Sequence, residues 1–526
     1  MPAQIIVLKA SFCPVSASQQ MSEAALHQFL ASRFLRPFKT MPNTSSKTTD
    51  IAVAAKKLLG FESLPSVQRE AIQSLLEGRN TLLAQPAGSS TSAVYTIAGA
   101  LMEGTTVIVS PAIADESDQA DASEARHVAE VMAIFSESER QEILERISAG
   151  KVEYLFLTTE QFREPETMQR LKDANVSLLA IDEANCISQW GHDFRPDYLG
   201  LAHVIEELGH PPVLALAGAA SRDVREDIIA RLGLNSPRVM AHGFDRPNIS
   251  LRVDLFSTKD EKWQSLLRRV EFADKPGIVY ASTHKNAESI AADLAQIGVP
   301  AVYYHGGLKA REREDAKNRF VSGEVPVMVA TNALGLDLDM PDIRFVYHAD
   351  ASDSLDAYYQ ELSHAGHDGE PAEAVLFYRP QEISAQNFKT GGVRVDSAAL
   401  ESVYNALLKR KKPMSREELS VASTFSVRKL VGLLHKLEET GAIVQVDSGE
   451  IRATSNRPLS EVIDAAERQQ QAQKENRNRR LQQMQQYAEC RRCRRELLLQ
   501  YLGDNLNEPC GNCDRCEERG VLAKVA

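Results

Sequence analysis

The chain has 526 residues, of which 43% are hydrophobic and 25% charged, as expected of a globular protein with several domains. Its net charge of −12 excludes a protein that coats nucleic acid over its whole surface, although it is compatible with a local basic groove. No apolar run is as long as a membrane-spanning helix, so we expect no role for a bilayer.

The first segment, residues 1–48, carries no clear signal architecture. It is basic, with Glu23 as its only acid, so an amphipathic targeting segment is one interpretation. We favour a disordered tail, or a start codon assigned too early with Met41 as the true first residue.

Short apolar runs then alternate with helical patterns, which predicts buried strands of parallel α/β sheets. The first series comprises residues 81–84, 106–111, 153–159, 177–184 and 212–220, and the second comprises residues 276–283, 301–307, 325–332, 343–350 and 373–380. Two consecutive α/β domains, at residues 49–245 and 246–390, explain this repeat. Ligands of such sheets bind at the carboxyl ends of the strands.

The stretch QPAGSSTSAVY, at residues 85–95, lies between a predicted strand and a predicted helix. A run of small residues in this place is typical of a loop that binds phosphate through backbone N–H groups. Such a loop needs a lysine for the β- and γ-phosphates, and Thr91 stands where that lysine is expected.

The pattern changes after Gly391-Gly392. Residues 397–410, a capping box at Ser415–Glu418 and residues 427–440 predict three helices, and residues 441–454 predict a hairpin around 447–449. We interpret residues 391–458 as a winged helix-turn-helix. A helical spacer follows at residues 459–489, with a long exposed helix predicted at 468–489, and the last segment, 490–526, holds five of the seven cysteines.

Four segments together resemble the motifs of RecQ-type DNA helicases, in the order of that family. They are LLAIDEANCISQWGHDFRPDY (178–198), FDRPNI (244–249), YHGGL (304–308) and EPCGNCDRC (508–516). The resemblance implies two tandem RecA-like domains of the P-loop NTPase type, a C-terminal zinc-binding module and ATP-dependent 3′-to-5′ DNA unwinding. A winged helix usually follows the zinc module in that family, whereas here it is inserted before it.

The resemblance also implies the nucleotide-site residues. Asp182 would hold Mg²⁺ and Glu183 would orient the attacking water, with Gln360 as a further catalytic residue. Gln68 matches the adenine-reading glutamine, although an exposed helical glutamine is an equal alternative. The remaining phosphate-loop positions are Gly88, Thr91 and Ser92, and Ser92 can still ligate Mg²⁺.

Several positions depart from the family pattern. Thr91 replaces the lysine, His364 and His367 replace two arginines, and Asn185 replaces the histidine that couples the nucleotide site to DNA. An arginine finger contributes roughly 10³–10⁵ to the rate of phosphoryl transfer, and a neutral imidazole cannot present its fork of donors. We therefore predict weak nucleotide binding and an inactive or severely impaired motor.

The aromatic-rich loop matches the family's DNA-binding loop. Trp190 and Phe194 would stack on bases, while His192 and Arg195 would reach phosphate. The alternative is that both aromatic rings belong to the core.

The cysteines indicate a structural zinc site. Cys510, Cys513 and Cys516 follow a CxxCxxC spacing, and the resemblance makes Cys493 the first ligand. Cys490 is the alternative first ligand.

The sequence thus predicts a RecQ-like protein that binds single-stranded, forked or junction DNA, in the cytoplasm and near the nucleoid in a bacterium. Alternatives are an active helicase with Lys285 as a replacement cation, a non-enzymatic regulator or scaffold that uses the winged helix, and a decaying gene. Protein partners are not predicted.

Overall fold

A computed structural model describes residues 47–86, 91–110, 154–188, 195–334, 338, 340, 342–382, 396–410, 412–445, 450–454 and 458–520. Outside these residues lie positions 1–46 of the predicted tail, Gly88 of the phosphate loop, the hairpin turn at 447–449, and Trp190, His192 and Phe194 of the aromatic-rich loop. The last two positions of the predicted tail, 47 and 48, belong to a helix instead. None of the helices in the described part of the chain is both long and apolar enough to cross a bilayer.

The first α/β domain is built on a six-stranded parallel sheet in the order β3-β2-β4-β5-β1-β6. Its strands are β1 (Thr81–Ala84), β2 (Thr105–Val109), β3 (Tyr154–Leu157), β4 (Val176–Ile181), β5 (Val213–Ala217) and β6 (Arg238–Ala241). Its helices are α1 (Lys47–Leu59), α2 (Ser66–Leu76), α3 (Ser92–Leu101), α4 (Pro165–Asp173), α5 (Leu201–Glu207) and α6 (Arg222–Leu232). Every residue of β1, β2 and β5 is buried, as their apolar runs require of strands covered on both faces.

The second α/β domain repeats this architecture, with a parallel sheet in the order β7-β12-β11-β8-β10-β9. Its strands are β7 (Ile249–Leu255), β8 (Gly277–Tyr280), β9 (Ala301–Tyr304), β10 (Val327–Ala330), β11 (Phe345–His348) and β12 (Ala372–Tyr378). Its helices are α7 (Lys259–Phe272), α8 (His284–Gln296), α9 (Ala310–Val321) and α10 (Leu355–Leu362). The two predicted α/β domains are therefore confirmed.

Three helices and a small antiparallel ladder follow: α11 (Ser397–Arg410), α12 (Arg416–Ser423), α13 (Val427–Glu439), β13 (Ile443–Gln445) and β14 (Ile451–Ala453). The capping box at Ser415 is present, since its hydroxyl accepts from Glu418 N and the Glu418 carboxylate accepts from Ser415 N. Met414 adds a bridge to Ile451 at the edge of the ladder. The predicted three helices and antiparallel pair of strands are present, while their assignment as a winged helix-turn-helix stays a prediction.

The long helix α14 runs from Leu459 to Glu489, followed by α15 (Arg494–Leu502) and α16 (Asp514–Glu518). Our prediction of an exposed helix is wrong for its last third. Leu481, Met484, Tyr487 and Ala488 are fully buried and belong to the core of the second α/β domain, together with cysteines of the last segment. Their spacing places them on one helical face, which the many surrounding Gln and Arg residues obscured.

Candidate functional site

The acidic pair lies at the carboxyl end of β4. Asp182 N donates to Val109 O (2.8 Å), which continues the ladder with β2 by one residue. Glu183 then adopts a left-handed conformation (φ 46°, ψ 46°), and its N–H donates to Asp182 Oδ1 (3.1 Å). A left-handed non-glycine residue is uncommon and costs on the order of 1–3 kcal/mol. The turn therefore holds both half-buried carboxylates at the ligand-binding edge of the sheet.

Two tyrosines surround Asp182. Burial raises the pKa of Tyr95 on α3, and the negative charge of Asp182 raises it further. Burial likewise raises the pKa of Tyr198, and electrostatic interactions with Cys186 and then Asp182 raise it further. Ser92, the first residue of α3, hydrogen-bonds to Tyr95 one turn further along the helix. Both tyrosines stay neutral donors, which suits a site that binds a cation or a water at Asp182.

The described part of the phosphate loop carries no lysine. Thr91 occupies the N-cap position of α3 without a side-chain capping hydrogen bond, and its carbonyl accepts from Val94 N (3.0 Å), so a neutral hydroxyl lies at the start of the helix. The helix dipole is retained there, but the positive charge that holds β- and γ-phosphates is absent at this position.

Gln68 lies in the first turn of α2 and is only 2% exposed. The alternative of an exposed helical glutamine is therefore wrong. Its role in adenine recognition stays a prediction. Asn185 is also buried (3% exposed), and its Oδ1 has no hydrogen-bond partner among the described residues.

The segment with His364 and His367 is pinned by other cations. Arg246 donates to the carbonyls of Ala365 (2.8 Å) and Gly366 (2.9 Å), and Arg344 binds both oxygens of Asp368 at 2.6 Å. His364 is 2% exposed, and its ring centroid lies 6.5 Å from that of His367. These arginines stabilise the conformation of the loop, and the N–H groups that do so donate to its backbone and to Asp368.

Gln360 and Glu361 end α10, just before this segment. Glu361 Oε2 lies 3.0 Å from Nε2 of His348 and accepts from the Ser352 hydroxyl (2.5 Å). His348 is fully buried and stacks on Tyr280, with centroids 5.4 Å apart. Glu361 therefore serves a buried structural network.

The two ends of the aromatic-rich loop are fixed to each other. Arg195 N donates to Cys186 O (2.7 Å), and the Ser188 hydroxyl donates to Asp227 (2.7 Å) on α6. The first end of the loop is also tied to the acidic pair, since Cys186 N donates to Glu183 O (2.8 Å). Of the four predicted DNA-binding residues, Arg195 alone lies within the described residues.

The structure brings together Cys493, Cys510, Cys513 and Cys516, whose sulfurs all lie within 4.8 Å of one another. The Sγ atoms of Cys510 and Cys516 are 3.9 Å apart and those of Cys493 and Cys513 are 4.0 Å apart. Zn–S bonds of about 2.3 Å in a tetrahedron place sulfurs about 3.8 Å apart, so the cluster fits zinc without rearrangement. Gly511, with a φ of 64°, makes the turn between the second and third ligands.

The protein supports this cluster with N–H groups. Cys510 N donates to Cys493 Sγ (3.5 Å) and Asn512 N to Cys510 Sγ (3.4 Å). Hydrogen bonds from Cys510 and Cys513 lower the pKa of Cys493, and hydrogen bonds with Cys493 and Cys513 raise the pKa of Cys510. Zinc, when bound, would stabilise all four as thiolates.

Cys490 lies outside the cluster. Its sulfur contacts the Arg494 guanidinium at 3.6 Å, and burial raises the pKa of its thiol. The geometry therefore favours Cys493 over Cys490 as the fourth ligand.

Sequence reasoning missed the residues that hold these parts in place. Arg246 and Arg344 secure the segment at 363–368, and Asp356 joins three parts of the chain. These partners are 24 to 145 residues away, so no local pattern could reveal them.

Three domain families match the chain in order. The DEAD/DEAH box helicase family matches residues 65–226, the helicase conserved C-terminal domain residues 258–369, and the RecQ zinc-binding domain residues 456–517. The last match includes the whole stretch from the start of α14 to the final cysteine.

Curated relatives agree with these matches. The chain is 34% identical over 366 residues to the probable ATP-dependent DNA helicase RecS of Bacillus subtilis, covering 69% of this chain and 73% of RecS. It is 38% identical over 334 residues to the ATP-dependent DNA helicase RecQ of the same organism, covering 62% of this chain and 56% of RecQ. The match thus spans little more than half of RecQ.

Among solved structures, the crystal structure of the DUF1998 helicase MrfA bound to DNA has a TM-score of 0.50 at 15% identity. The match covers 80% of this chain and 64% of MrfA. At this identity the likeness concerns the fold alone.

Proposed function

The chain belongs to the RecQ family of DNA helicases. We propose that it binds DNA and that its ATP-driven motor is inactive or severely impaired. The observation that carries the proposal is the loss of lysine and arginine at the positions where the family pattern has a phosphate-binding lysine and two arginines. Thr91 opens α3, His364 is buried, and the nearby Arg246 and Arg344 are engaged by their own loop.

The absent charges matter because phosphoryl transfer depends on positioning and electrostatic stabilisation. Losing a factor of 10³–10⁵ from one arginine corresponds to about 4–7 kcal/mol of barrier. Asp182 and Ser92 can still ligate Mg²⁺ of a weakly bound nucleotide, but efficient turnover is not expected.

DNA would be held by the aromatic-rich loop, through Trp190 and Phe194 stacking on bases and His192 and Arg195 reaching phosphate. Zinc would be held by Cys493, Cys510, Cys513 and Cys516, where it stabilises the fold of the C-terminal module. The winged helix-turn-helix and the cytoplasmic location stay predictions from the sequence.

An active helicase is the second candidate, and the conformation of Glu183 favours it. Backbone strain is concentrated at functional sites, and the left-handed turn at Glu183 holds a carboxylate beside Asp182, where a general base for hydrolysis would lie.

The deciding experiment measures ATP hydrolysis by the zinc-loaded full chain, with and without single-stranded DNA, and DNA binding by fluorescence anisotropy. We expect DNA binding and no turnover above that of a Glu183→Gln variant, which reports contaminating ATPase. DNA-stimulated turnover that the Glu183→Gln substitution abolishes would overturn the impaired motor. Failure to bind single-stranded, forked or junction DNA would overturn the DNA-binding half of the proposal.

A further inference from the structure

We propose that an apolar groove at the amino edge of the first sheet binds residues 33–39 of the same chain, RFLRPFK. The groove lies at the opposite ends of the strands from the acidic pair. The sequence favoured a disordered tail for this segment, and the groove is the structural reason to assign it a docking site instead. The proposal does not depend on the state of the motor.

The groove forms where several elements of the first α/β domain begin or end. Its volume is about 450 Å³, which is in the range of sites that bind small ligands and side chains. The walls come from the ends of α2 and α3, the start of β4 and the turn before β5. Most of the lining is apolar and only half-buried, namely Leu76, Leu101, Met102, Val176 and Pro212.

The charged residues that line the groove are both acids. Asp50 lies in the first turn of α1, and Glu103 follows α3 and is exposed. Ser177 completes the polar part of the lining with a neutral hydroxyl. Apolar walls combined with two carboxylates suit an occupant that carries both large apolar side chains and basic ones.

The sequence before α1 has this composition. Residues 33–39 combine three large apolar side chains with three basic ones, in the order Arg33, Phe34, Leu35, Arg36, Pro37, Phe38 and Lys39. No acid lies between Glu23 and Asp50, so the charge of this stretch is opposite to that of the groove. Burial of the apolar side chains against the walls would remove apolar surface of both from water, and the carboxylates would attract the basic residues.

The described part of the chain begins at the groove itself. Helix α1 starts at Lys47, and Asp50, three residues later, already lines the groove. Lys39 precedes Lys47 by eight residues, and an extended chain covers about 3.4 Å per residue, so the tether reaches up to roughly 27 Å. A short tether keeps a segment at high effective concentration, which favours docking within one chain over binding to a second copy.

The first test follows the Met102 methyl group by NMR in the zinc-loaded full chain, with labelled methionine methyl groups and an assignment from Met102→Leu. We expect Phe34→Asp to shift this signal, because an apolar segment packed on the groove is released. Phe12→Asp is the matched control, since it makes the same change in the tail outside residues 33–39 and should leave the signal in place. An unchanged Met102 signal in Phe34→Asp would overturn the proposal.

Trypsin gives an independent readout, because it cleaves after Arg33 and Lys39. Only the undocked segment is accessible to the protease, so we expect cleavage at these two sites to be at least about tenfold slower in wild type than in Phe34→Asp. Cleavage after Lys9, outside the segment, is the internal reference and should not differ between the two proteins. Equal rates at Arg33 and Lys39 in wild type and Phe34→Asp would also overturn the proposal.

The charge of the groove is tested by Glu103→Lys, which reverses an exposed acid of the lining. We expect faster cleavage at Arg33 and Lys39 in this variant, because the basic segment is then repelled. Glu271→Lys is the control, since Glu271 is exposed in the second α/β domain. Equal acceleration by both substitutions would contradict docking at this groove.

The dependence on protein concentration identifies the occupant. The same Met102 difference between wild type and Phe34→Asp in dilute and concentrated samples would support docking within one chain. A difference that grows with concentration would assign the groove to the segment of a second copy and overturn docking within the chain. Neither readout involves DNA or ATP, so failure of the proposed function would leave this proposal standing.

Discussion

Arg494 is the most completely buried cation in the described part of the chain, with no exposed surface. Its guanidinium donates to both oxygens of Asp514 (2.6 and 2.8 Å) and to Tyr487 O (2.7 Å). Asp514 in turn accepts from Val253 N (3.2 Å) at the edge strand β7. One ion pair thus joins α14, α15 and α16 to the second α/β domain.

Replacing Arg494 by methionine should cost about 3–5 kcal/mol, because Asp514 is left buried without its counter-charge. Arg492→Met is the control, since Arg492 is 54% exposed and pairs with Glu496 on the surface; we expect about 0–1 kcal/mol. Urea unfolding of the zinc-loaded variants measures both values. Equal losses would contradict the assigned role of the buried pair.

Asp350 makes the second α/β domain sensitive to acid. Burial acts to raise the pKa of Asp350, but Lys262 and hydrogen bonds from Ser282 and Asn286 outweigh it and lower the pKa below its ordinary value. The unfolded carboxyl titrates near 3.9, so the stabilisation is present above about pH 4 and is lost as the pH falls towards the folded value.

We therefore expect wild type to be more stable than Asp350→Asn at about pH 6, and the difference to shrink as the pH approaches 3. Free energies of unfolding from urea titrations at several pH values measure this difference. A difference that stays constant with pH would show that the charge of Asp350 contributes nothing.

At the scale of elements, the sequence predicted those strands whose residues are apolar on both faces, such as β1, β5 and β10. It missed β6 and β7. The first two residues of β6 are exposed, and β7 alternates buried and half-buried positions at a sheet edge, so neither strand is apolar on both faces. The cysteine cluster was predictable from spacing within seven residues plus a family resemblance. The ion pair that supports it was not, since nothing local links Arg494 to Asp514.

The cysteine cluster makes an element-scale prediction. Cys513→Ser should bind less than one zinc per chain and lose helical signal from α15 and α16, because structural zinc supplies folding free energy. Cys490→Ser should keep one zinc per chain, since Cys490 lies outside the four sulfurs. Zinc content and circular dichroism before and after chelation measure both. Equal zinc loss in the two variants would contradict the assigned ligand set.

At the scale of the whole molecule, three parts of the chain meet at Asp356, which is 1% exposed. Its Oδ1 accepts from Ser221 N of the first α/β domain (2.9 Å), and its Oδ2 accepts from the Tyr501 hydroxyl of α15. Arg225 adds a bond from the first domain to Leu502 O (2.6 Å). The C-terminal module thus holds both α/β domains together.

Asp356→Ala should release this junction. We expect faster hydrogen exchange at the Ser221 amide and around Leu502, and a loss of about 1–3 kcal/mol for the buried donors left unpaired. Asp353→Ala is the control, because Asp353 is exposed in the turn before α10. Unchanged exchange at Ser221 in Asp356→Ala would show that the domains do not depend on this carboxylate.

The contacts at Asp356 can form only after all three parts of the chain that make them have been synthesised. Ser221 and Asp356 leave the ribosome well before Tyr501 and the cysteines that shape the module around it. At about 5–20 residues per second, the 145 residues between Asp356 and Tyr501 take roughly 7–30 s to make. For that interval the two α/β domains lack the bridge at Asp356, and the second domain also lacks the α14 residues of its core. The segment from α14 to α15 therefore completes the second domain and joins it to the first.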